Sequence, residues 1–125
     1  MNCLICRLNK TKKFMVFEGK YWQVDTPVSI NLNGLFFIKT KRHVETLEDL
    51  NKKECLELGN LISKFAKKSK KISKAARIIT MCLGFKEPHI HFWLIPITHK
   101  NKHYINKISQ AVKNLADSYR DRLDG

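Results

Sequence analysis

A chain of 125 residues can bury a core of apolar side chains without disulfides, and its length favours a single domain spanning residues 1–125. Its 24 lysines and arginines against 11 acidic residues give a formal net charge of +13, which favours anionic partners such as nucleotides or nucleic acid. The sequence has no signal-peptide pattern and no apolar stretch of membrane-spanning length, so we expect a cytoplasmic protein without a membrane partner.

Three strands are predicted in the first third of the chain. Residues 14–17 and 21–24 are short apolar and aromatic runs joined by a turn at Gly19-Lys20, which predicts a hairpin. Residues 35–38 are all apolar and predict a central strand, after which residues 39–43 are expected to lead the chain away from the sheet.

Two helices are predicted from apolar residues at helical spacing. Thr46 and Asp49 resemble a capping box and predict a helix over residues 49–68, followed by a lysine-rich end. The apolar positions of this helix are Leu50, Cys55, Leu58, Leu61, Ile62 and Phe65. A last helix is predicted from Ile105, Ile108, Val112, Leu115 and Tyr119.

Two further strands are predicted between these helices. Residues 77–83 are rich in β-branched side chains, and a loop over residues 84–88 leads to the stretch 89–96. In that stretch His89, His91 and Trp93 alternate with apolar residues, so one strand face is expected to pack and the other to present these three rings. The order of strands and helices predicts an α+β fold with an antiparallel sheet.

The cysteines favour a metal site over a disulfide framework. Cys3 and Cys6 form a Cys-x-x-Cys, followed by a basic linker at residues 9–13, whereas Cys55 and Cys82 lie in apolar segments and are expected in the core. A structural zinc needs four thiolate or imidazole ligands, two of which commonly come from one Cys-x-x-Cys. The sequence leaves the other two open among five histidines, which are His43, His89, His91, His99 and His103. A redox dithiol is a further interpretation of the pair.

Three segments in order resemble the histidine triad (HIT) superfamily of nucleotide hydrolases and transferases. They are the Cys-Leu-Ile-Cys at residues 3–6, the stretch 34–50 around His43, and the stretch 89–96. The resemblance implies an α+β fold with a five-stranded antiparallel sheet and two helices, usually as a homodimer. By comparison with the zinc-containing members, it also implies a structural zinc held by Cys3, Cys6, His43 and His89.

The same resemblance assigns the chemistry to His91. Its imidazole would attack the α-phosphate of a nucleotide or nucleotide conjugate and form a nucleotidyl-histidine, which makes the chain a nucleotide hydrolase or nucleotidyltransferase. The phosphate oxygens need donors or cations, and Lys86 is the candidate. Asp25 lies near the place where the family commonly has an acidic residue on the ribose hydroxyls, and Trp93 is the third candidate nucleotide-binding residue.

Two positions depart from the family pattern. Trp93 replaces the third histidine of the triad, and Leu35 stands where many members have a histidine. An indole donates one hydrogen bond but cannot accept or shuttle a proton, and the family's transferase branches with glutamine there show that this histidine is dispensable. The alternative is a zinc-stabilised nucleotide-binding or RNA-binding module without turnover, with Trp22, Phe85 and Trp93 as stacking surfaces.

Overall fold

The structure is a computed structural model that describes residues 2–27, 32–82, 87–103 and 105–107, together with residues 110, 113 and 117. Its strands are β1 (Met15–Glu18), β2 (Trp22–Asp25), β3 (Phe36–Thr40), β4 (Ile78–Met81) and β5 (His91–Pro96), and its helices are α1 (Leu4–Thr11) and α2 (Lys52–Ser73). The strands form one antiparallel sheet in the order β1-β2-β3-β5-β4. The predicted α+β class, the five antiparallel strands and the central position of β3 are confirmed.

One face of the sheet packs against α2 and forms the hydrophobic core. Phe65 of α2 makes an edge contact with Phe36 of β3, with ring centroids 5.1 Å apart, and a tilted contact with Phe17 at 5.7 Å. Leu61 and Leu94 are buried beside them. Each of these side chains contributes about 1.5–3 kcal/mol through its removal from water, so this face fixes α2 on the sheet.

The opposite face of the sheet carries polar side chains, and we call it the polar face. Strand β3 pairs with β5 so that Lys39 lies opposite His91 and Phe37 lies opposite Trp93. On the other side of β3, Asp25 lies opposite Phe37. Because directly opposite residues point to the same side of a sheet, all five side chains belong to the polar face.

Helix α2 begins later than predicted because its capping box involves other residues. The side-chain oxygen of Asn51 accepts a hydrogen bond from the Glu54 N–H, and the Glu54 carboxylate accepts one from the Asn51 N–H, both at 2.9 Å. Thr46 instead donates its hydroxyl to Asp49 at 2.7 Å, at the start of a short 3-10 turn (Leu47–Asp49). The Thr46–Asp49 prediction was wrong because the backbone is extended at Leu50, which separates the two helical segments.

Three other predictions need correction. Residues 9–13 are not a linker throughout, because α1 extends to Thr11 and ends where Lys12 adopts a left-handed conformation with φ 52°. Lys39 does not leave the sheet, since it pairs with residues of both neighbouring strands. Cys55 is exposed rather than in the core, because it lies beside the line of buried residues of α2 and not on it. Cys82 is half-buried against the core.

Two predicted segments fall largely outside the described residues. Of the apolar stripe predicted for the last helix, Ile105 is described, with helical backbone, and the other four positions are not. The loop predicted over residues 84–88 is described from residue 87 onward, so Phe85 and Lys86 lie outside the described part of the chain. Among the described helices, none is long and apolar enough to cross a membrane.

Candidate metal centre and histidine site

Four predicted ligand side chains converge at one end of the sheet. The Cys6 Sγ atom lies 3.4 Å from Nδ1 of His43 and 3.4 Å from Nδ1 of His89, and the Cys3 Sγ atom lies 3.3 Å from Nδ1 of His89. The four donor atoms all lie within 4.8 Å of one another. In a tetrahedral zinc site the donor atoms are about 3.4–3.8 Å apart, as follows from the usual Zn–S and Zn–N bond lengths. The cluster is therefore compact enough to hold a metal ion.

The fold brings these residues together by simple adjacency. His43 follows β3 and His89 precedes β5, and because these strands are antiparallel neighbours the two positions meet at the same end of the sheet. Cys3 is the N-cap residue of α1, and its sulfur accepts a hydrogen bond from the Cys6 N–H at 3.3 Å. The Cys3 sulfur therefore lies at the N-terminal end of α1, within reach of both histidine rings.

Both histidine rings are oriented by hydrogen bonds from the nitrogen that faces away from the sulfurs. The Nε2–H of His89 donates to the backbone carbonyl of Thr40 at 2.8 Å, and Nε2 of His43 lies 3.2 Å from the Glu45 carboxylate. These contacts leave each Nδ1 lone pair directed at the cluster. Burial lowers the pKa of His89, which favours the neutral imidazole that binds metals.

The two thiols also fit a bound cation. Burial raises the pKa of the Cys6 thiol, and the neighbouring Cys3 sulfur acts in the same direction through a hydrogen bond and charge repulsion. Two adjacent thiolates are therefore unfavourable by themselves, whereas a divalent ion between them would reverse this balance and deprotonate both. Such an ion would join α1, the segment after β3 and the start of β5.

His91 is adjacent to the metal cluster but does not belong to it. Its Nδ1–H donates to the backbone carbonyl of His89 at 2.6 Å, and its Nε2 atom has no hydrogen-bond partner among the described residues. The side chain is half-buried on the polar face, opposite Lys39. A half-buried imidazole with one fixed N–H has the arrangement that a nucleophilic histidine needs.

The three rings of the stretch 89–96 do not share one surface, contrary to the prediction. His89 precedes β5, is fully buried and turns toward the cysteines, so only His91 and Trp93 lie on the polar face of the strand. Trp93 is half-buried and packs against Phe37, with ring centroids 4.3 Å apart. The two rings are inclined to each other by 60°, and this aromatic pair lies on the same sheet face as His91, where it offers an apolar surface.

Asp25 is not open to solvent as a lone carboxylate. It is buried, one of its oxygens forms an ion pair with the Lys39 ammonium, and the other lies 3.5 Å from the Gln23 side-chain amide. Sequence analysis missed Lys39 because it was placed in a segment leaving the sheet. Its alternation with Phe37 beside the core-facing Phe36 and Ile38 was the signal that could have placed it on the polar face.

The remaining predicted residues are distributed as follows. Among the described residues the histidines in the metal cluster are His43 and His89, so His91, His99 and His103 are not brought to the thiols. Lys86, the candidate phosphate-binding residue, lies outside the described part of the chain. The structure thus brings together the predicted metal ligands, and separately places His91, Trp93 and Asp25 on one sheet face.

Comparison with solved structures places this fold among known proteins. A HIT-like protein involved in cell-cycle regulation from Bartonella henselae superposes with a TM-score of 0.68 at 20% identity, over 78% of this chain and 81% of the other. A HIT family hydrolase from Legionella pneumophila gives 0.56 at 23% identity, over 75% and 91%. A hypothetical histidine triad nucleotide-binding protein from Sulfolobus tokodaii gives 0.65 at 17% identity, over 78% and 70%.

Comparison of the sequence with family models found no match, and comparison with curated proteins found none. The structural neighbours establish the class: the chain has the fold of the histidine triad proteins. The resemblance to the histidine triad superfamily, which was identified from the sequence motifs, is therefore confirmed by the fold.

Proposed function

We propose that the protein is a HIT-family nucleotide hydrolase or nucleotidyltransferase that acts at the α-phosphate through a nucleotidyl-histidine on His91. The observation that carries this proposal is the hydrogen bond from Nδ1–H of His91 to the His89 carbonyl, with Nε2 unpartnered within the described part of the polar face. The likeness of the fold to a HIT family hydrolase and to a histidine triad nucleotide-binding protein supports it.

The reaction proceeds in two displacements. In the first, the Nε2 lone pair of His91 forms a bond to the α-phosphorus while the bond from phosphorus to the leaving group breaks. In the second, water or another acceptor attacks phosphorus, the N–P bond breaks and a proton leaves the attacking oxygen. The phosphate oxygens need cations or N–H donors, and Lys86, in the loop predicted over residues 84–88, is assigned this role.

The surroundings of His91 provide the remaining contacts to the nucleotide. The Trp93–Phe37 pair gives a stacking surface for a base. Asp25 is assigned to the ribose hydroxyls, which it can reach only by sharing its carboxylate with Lys39, because the ammonium already occupies one oxygen. Trp93 cannot supply a proton to the leaving group. The favoured substrates are therefore nucleotides whose leaving group is stable as an anion.

The metal is assigned as zinc with a structural role. Two thiolates and two imidazoles are a ligand set typical of zinc, and four protein ligands leave no position open for water or substrate. When bound, zinc supplies a cross-link between α1 and the sheet. The residues that perform the chemistry are those of the polar face.

The proposed activity is tested with a nitrophenyl ester of a nucleoside monophosphate, a substrate with a good leaving group. The wild type is expected to release nitrophenolate, and His91→Ala to lose at least about 10³-fold in turnover, because removal of a nucleophile abolishes the covalent route. His99→Ala is the matched control, since His99 lies beyond the other end of β5 and should retain full turnover. Equal turnover in wild type and His91→Ala would refute the proposal.

A nucleotide-binding module without turnover is the second candidate, and Trp93 at the third triad position favours it. In that case nucleotides bind to the wild type but no product forms with any leaving group. Binding measured by calorimetry together with product analysis on the same sample separates the two functions.

We also propose that the protein is a cytoplasmic homodimer. The first half of α2 and the turn before it expose apolar side chains, with Leu56 at 63% and Leu47 at 54% of their full accessible surface. A reducing compartment fits the four free cysteines. Light scattering should give about twice the chain mass of 14.6 kDa, and a concentration-independent monomer would contradict the dimer.

A further inference from the structure

Acidic residues are almost absent from a long part of the chain. Residues 58–116 carry 12 of the 24 lysines and arginines but one of the 11 acidic residues, Glu87. Residues 1–57 have nearly as many cations, ten, but seven acidic residues to balance them. The positive charge of the protein is therefore concentrated in one region and not spread evenly.

Much of this charge lies along the second half of α2. The residues there that face the sheet are Leu61, Phe65 and Ser69, all buried. Six exposed lysines lie along the solvent-accessible sides of this half of the helix and at its C-cap, and with Lys100 they are called the basic face. They are Lys64, Lys67, Lys68, Lys70, Lys71 and Lys74.

The lysines of the basic face lack acidic partners in the part of the chain that the structure describes. Within the described residues none of them forms an ion pair, whereas lysines elsewhere, such as Lys12 and Lys41, both pair with Glu18. Two members are held by aromatic rings instead: the Lys64 Nζ atom lies 4.2 Å from the Phe17 ring centroid, and the Lys68 Nζ atom lies 5.6 Å from that of Phe65. The side chains of all these lysines are exposed, and together they create an extended positive potential.

The basic face extends beyond the end of the helix. Lys74 and Lys100 both line a cavity of about 410 Å³, together with the polar side chains of Ser73 and Thr98. From Lys64 to Lys74 the helix rises about 15 Å, the length of roughly four phosphates along one strand of a duplex. The surface therefore has the length and charge to contact several phosphates in succession.

We propose that the basic face binds the phosphate backbone of a nucleic-acid duplex without reading its sequence. All its members are lysines, which bind phosphates as point charges and lack the bidentate geometry that arginine uses to read bases. Single-strand binding commonly uses stacked aromatic side chains, which the basic face does not contain. A duplex has a dense, regular row of phosphates, and it is the partner that matches this charge.

The proposed surface is separate from the His91 site. Strand β5 runs from His91 to Pro96, about 17 Å at the usual rise per residue, and Lys100 follows beyond its far end. Duplex binding is therefore expected to leave nucleotide turnover unaffected. The two proposals can fail independently of each other.

The test measures binding of a fluorescently labelled DNA duplex of about 20 base pairs by anisotropy, over a series of salt concentrations. Each lysine–phosphate contact adds about 0.9 to the slope of log affinity against log salt concentration. The triple variant K67Q/K70Q/K71Q should bind at least about tenfold more weakly at low salt, and its slope should fall by about 2–3.

The matched control is K13Q/K52Q/K53Q, which removes the same number of exposed positive charges outside the basic face. Its slope should change by less than about 1, and loss of Lys52 and Lys53 from the first turn of α2 does not weaken the helix. Circular dichroism of both variants checks that they are folded. Tighter binding of the duplex than of a single strand of the same length would support the proposal.

Four results would overturn it. They are no duplex binding by the wild type at low salt, equal losses in the two triple variants, tighter binding to the single strand, and preferential binding to vesicles containing phosphatidylserine. Equal losses would mean that net charge alone attracts the polyanion, without a defined surface.

Discussion

Lys39 forms an ion pair with Asp25 in the interior of the protein, where 2% and 5% of the two side chains remain accessible to solvent. Removing each charge from water costs several kcal/mol, so the pair is favourable only when both partners are present. The ion pair lies on the same sheet face as His91, and His91 is the residue directly opposite Lys39 on the neighbouring strand. The pair thus keeps a buried carboxylate neutralised close to the position where a phosphate is proposed to react.

Lys39→Met is expected to reduce the free energy of unfolding by about 3–5 kcal/mol, because it leaves the Asp25 carboxylate buried without a counter-charge. The double variant Lys39→Met/Asp25→Asn should recover most of this loss, since neither buried charge remains. Urea unfolding measures both variants. If the free energy of unfolding of Lys39→Met were within about 1 kcal/mol of the wild-type value, the expected coupling between Lys39 and Asp25 would be contradicted.

The capping box of α2 predicts a specific acid sensitivity. Hydrogen bonds from Arg42 hold the pKa of the Glu54 carboxyl below its usual range, and the Asn51 N–H contributes in the same direction. Because the folded-state pKa is depressed, this stabilisation is complete above the unfolded-state pKa of about 4.3 and is lost as the pH falls through the folded-state value.

Glu54→Gln should therefore lower stability by about 1–2 kcal/mol at neutral pH and by progressively less as the pH falls through the depressed folded-state pKa of Glu54. Urea unfolding across this pH range measures the difference, and Glu48→Gln, which changes an exposed acidic residue of the preceding turn, is the control. A loss that does not depend on pH would assign the effect to packing and not to the charge.

The metal cluster predicts about one zinc per chain, detected by elemental analysis of the purified protein. Cys3→Ser/Cys6→Ser should remove the zinc and lower the melting temperature, because the ion links α1 to the sheet. Cys55→Ser changes an exposed cysteine outside the cluster and should retain the metal. Zinc retained by the double variant, or an unchanged melting temperature after chelation, would contradict a structural zinc at this site.

Elements with a strong local pattern could be predicted from the sequence. The apolar run ending at Ile38 and the alternation after His89 predicted β3 and β5, because strand periodicity is a property of neighbouring residues. The four metal ligands followed from the resemblance to a family. The geometry of the cluster agrees with that assignment because β3 and β5 are neighbours.

Features that depend on distant contacts or on competing local patterns were not predicted. Thr46 and Asn51 each have an acidic residue three positions later, and the extended conformation of Leu50 decides which of them caps α2. The buried position of Lys39 depends on Asp25, 14 residues earlier, and on the sheet register. Neither can be read from a short window of sequence.

Trp93 predicts how turnover depends on the leaving group. Trp93→His introduces a side chain that can donate a proton, so turnover of a nucleotide ester with a poor leaving group should rise by about 10²-fold or more. With a nitrophenyl ester the change should be small, because that leaving group needs no acid. Trp93→Phe keeps an aromatic ring without an N–H and should raise neither rate. Equal gains with both substrates would argue against a proton-transfer role.

The central claim is that His91 forms a covalent bond to the nucleotide phosphate, and intact-mass spectrometry tests it most directly. After brief incubation with the nitrophenyl ester and acid-free quenching, the wild type should show a mass increment of one nucleoside monophosphate. His91→Ala should show no increment while it remains folded and zinc-loaded, because His91 is not part of the metal cluster. An adduct on the His91→Ala variant, or product formation by that variant at the wild-type rate, would contradict the account.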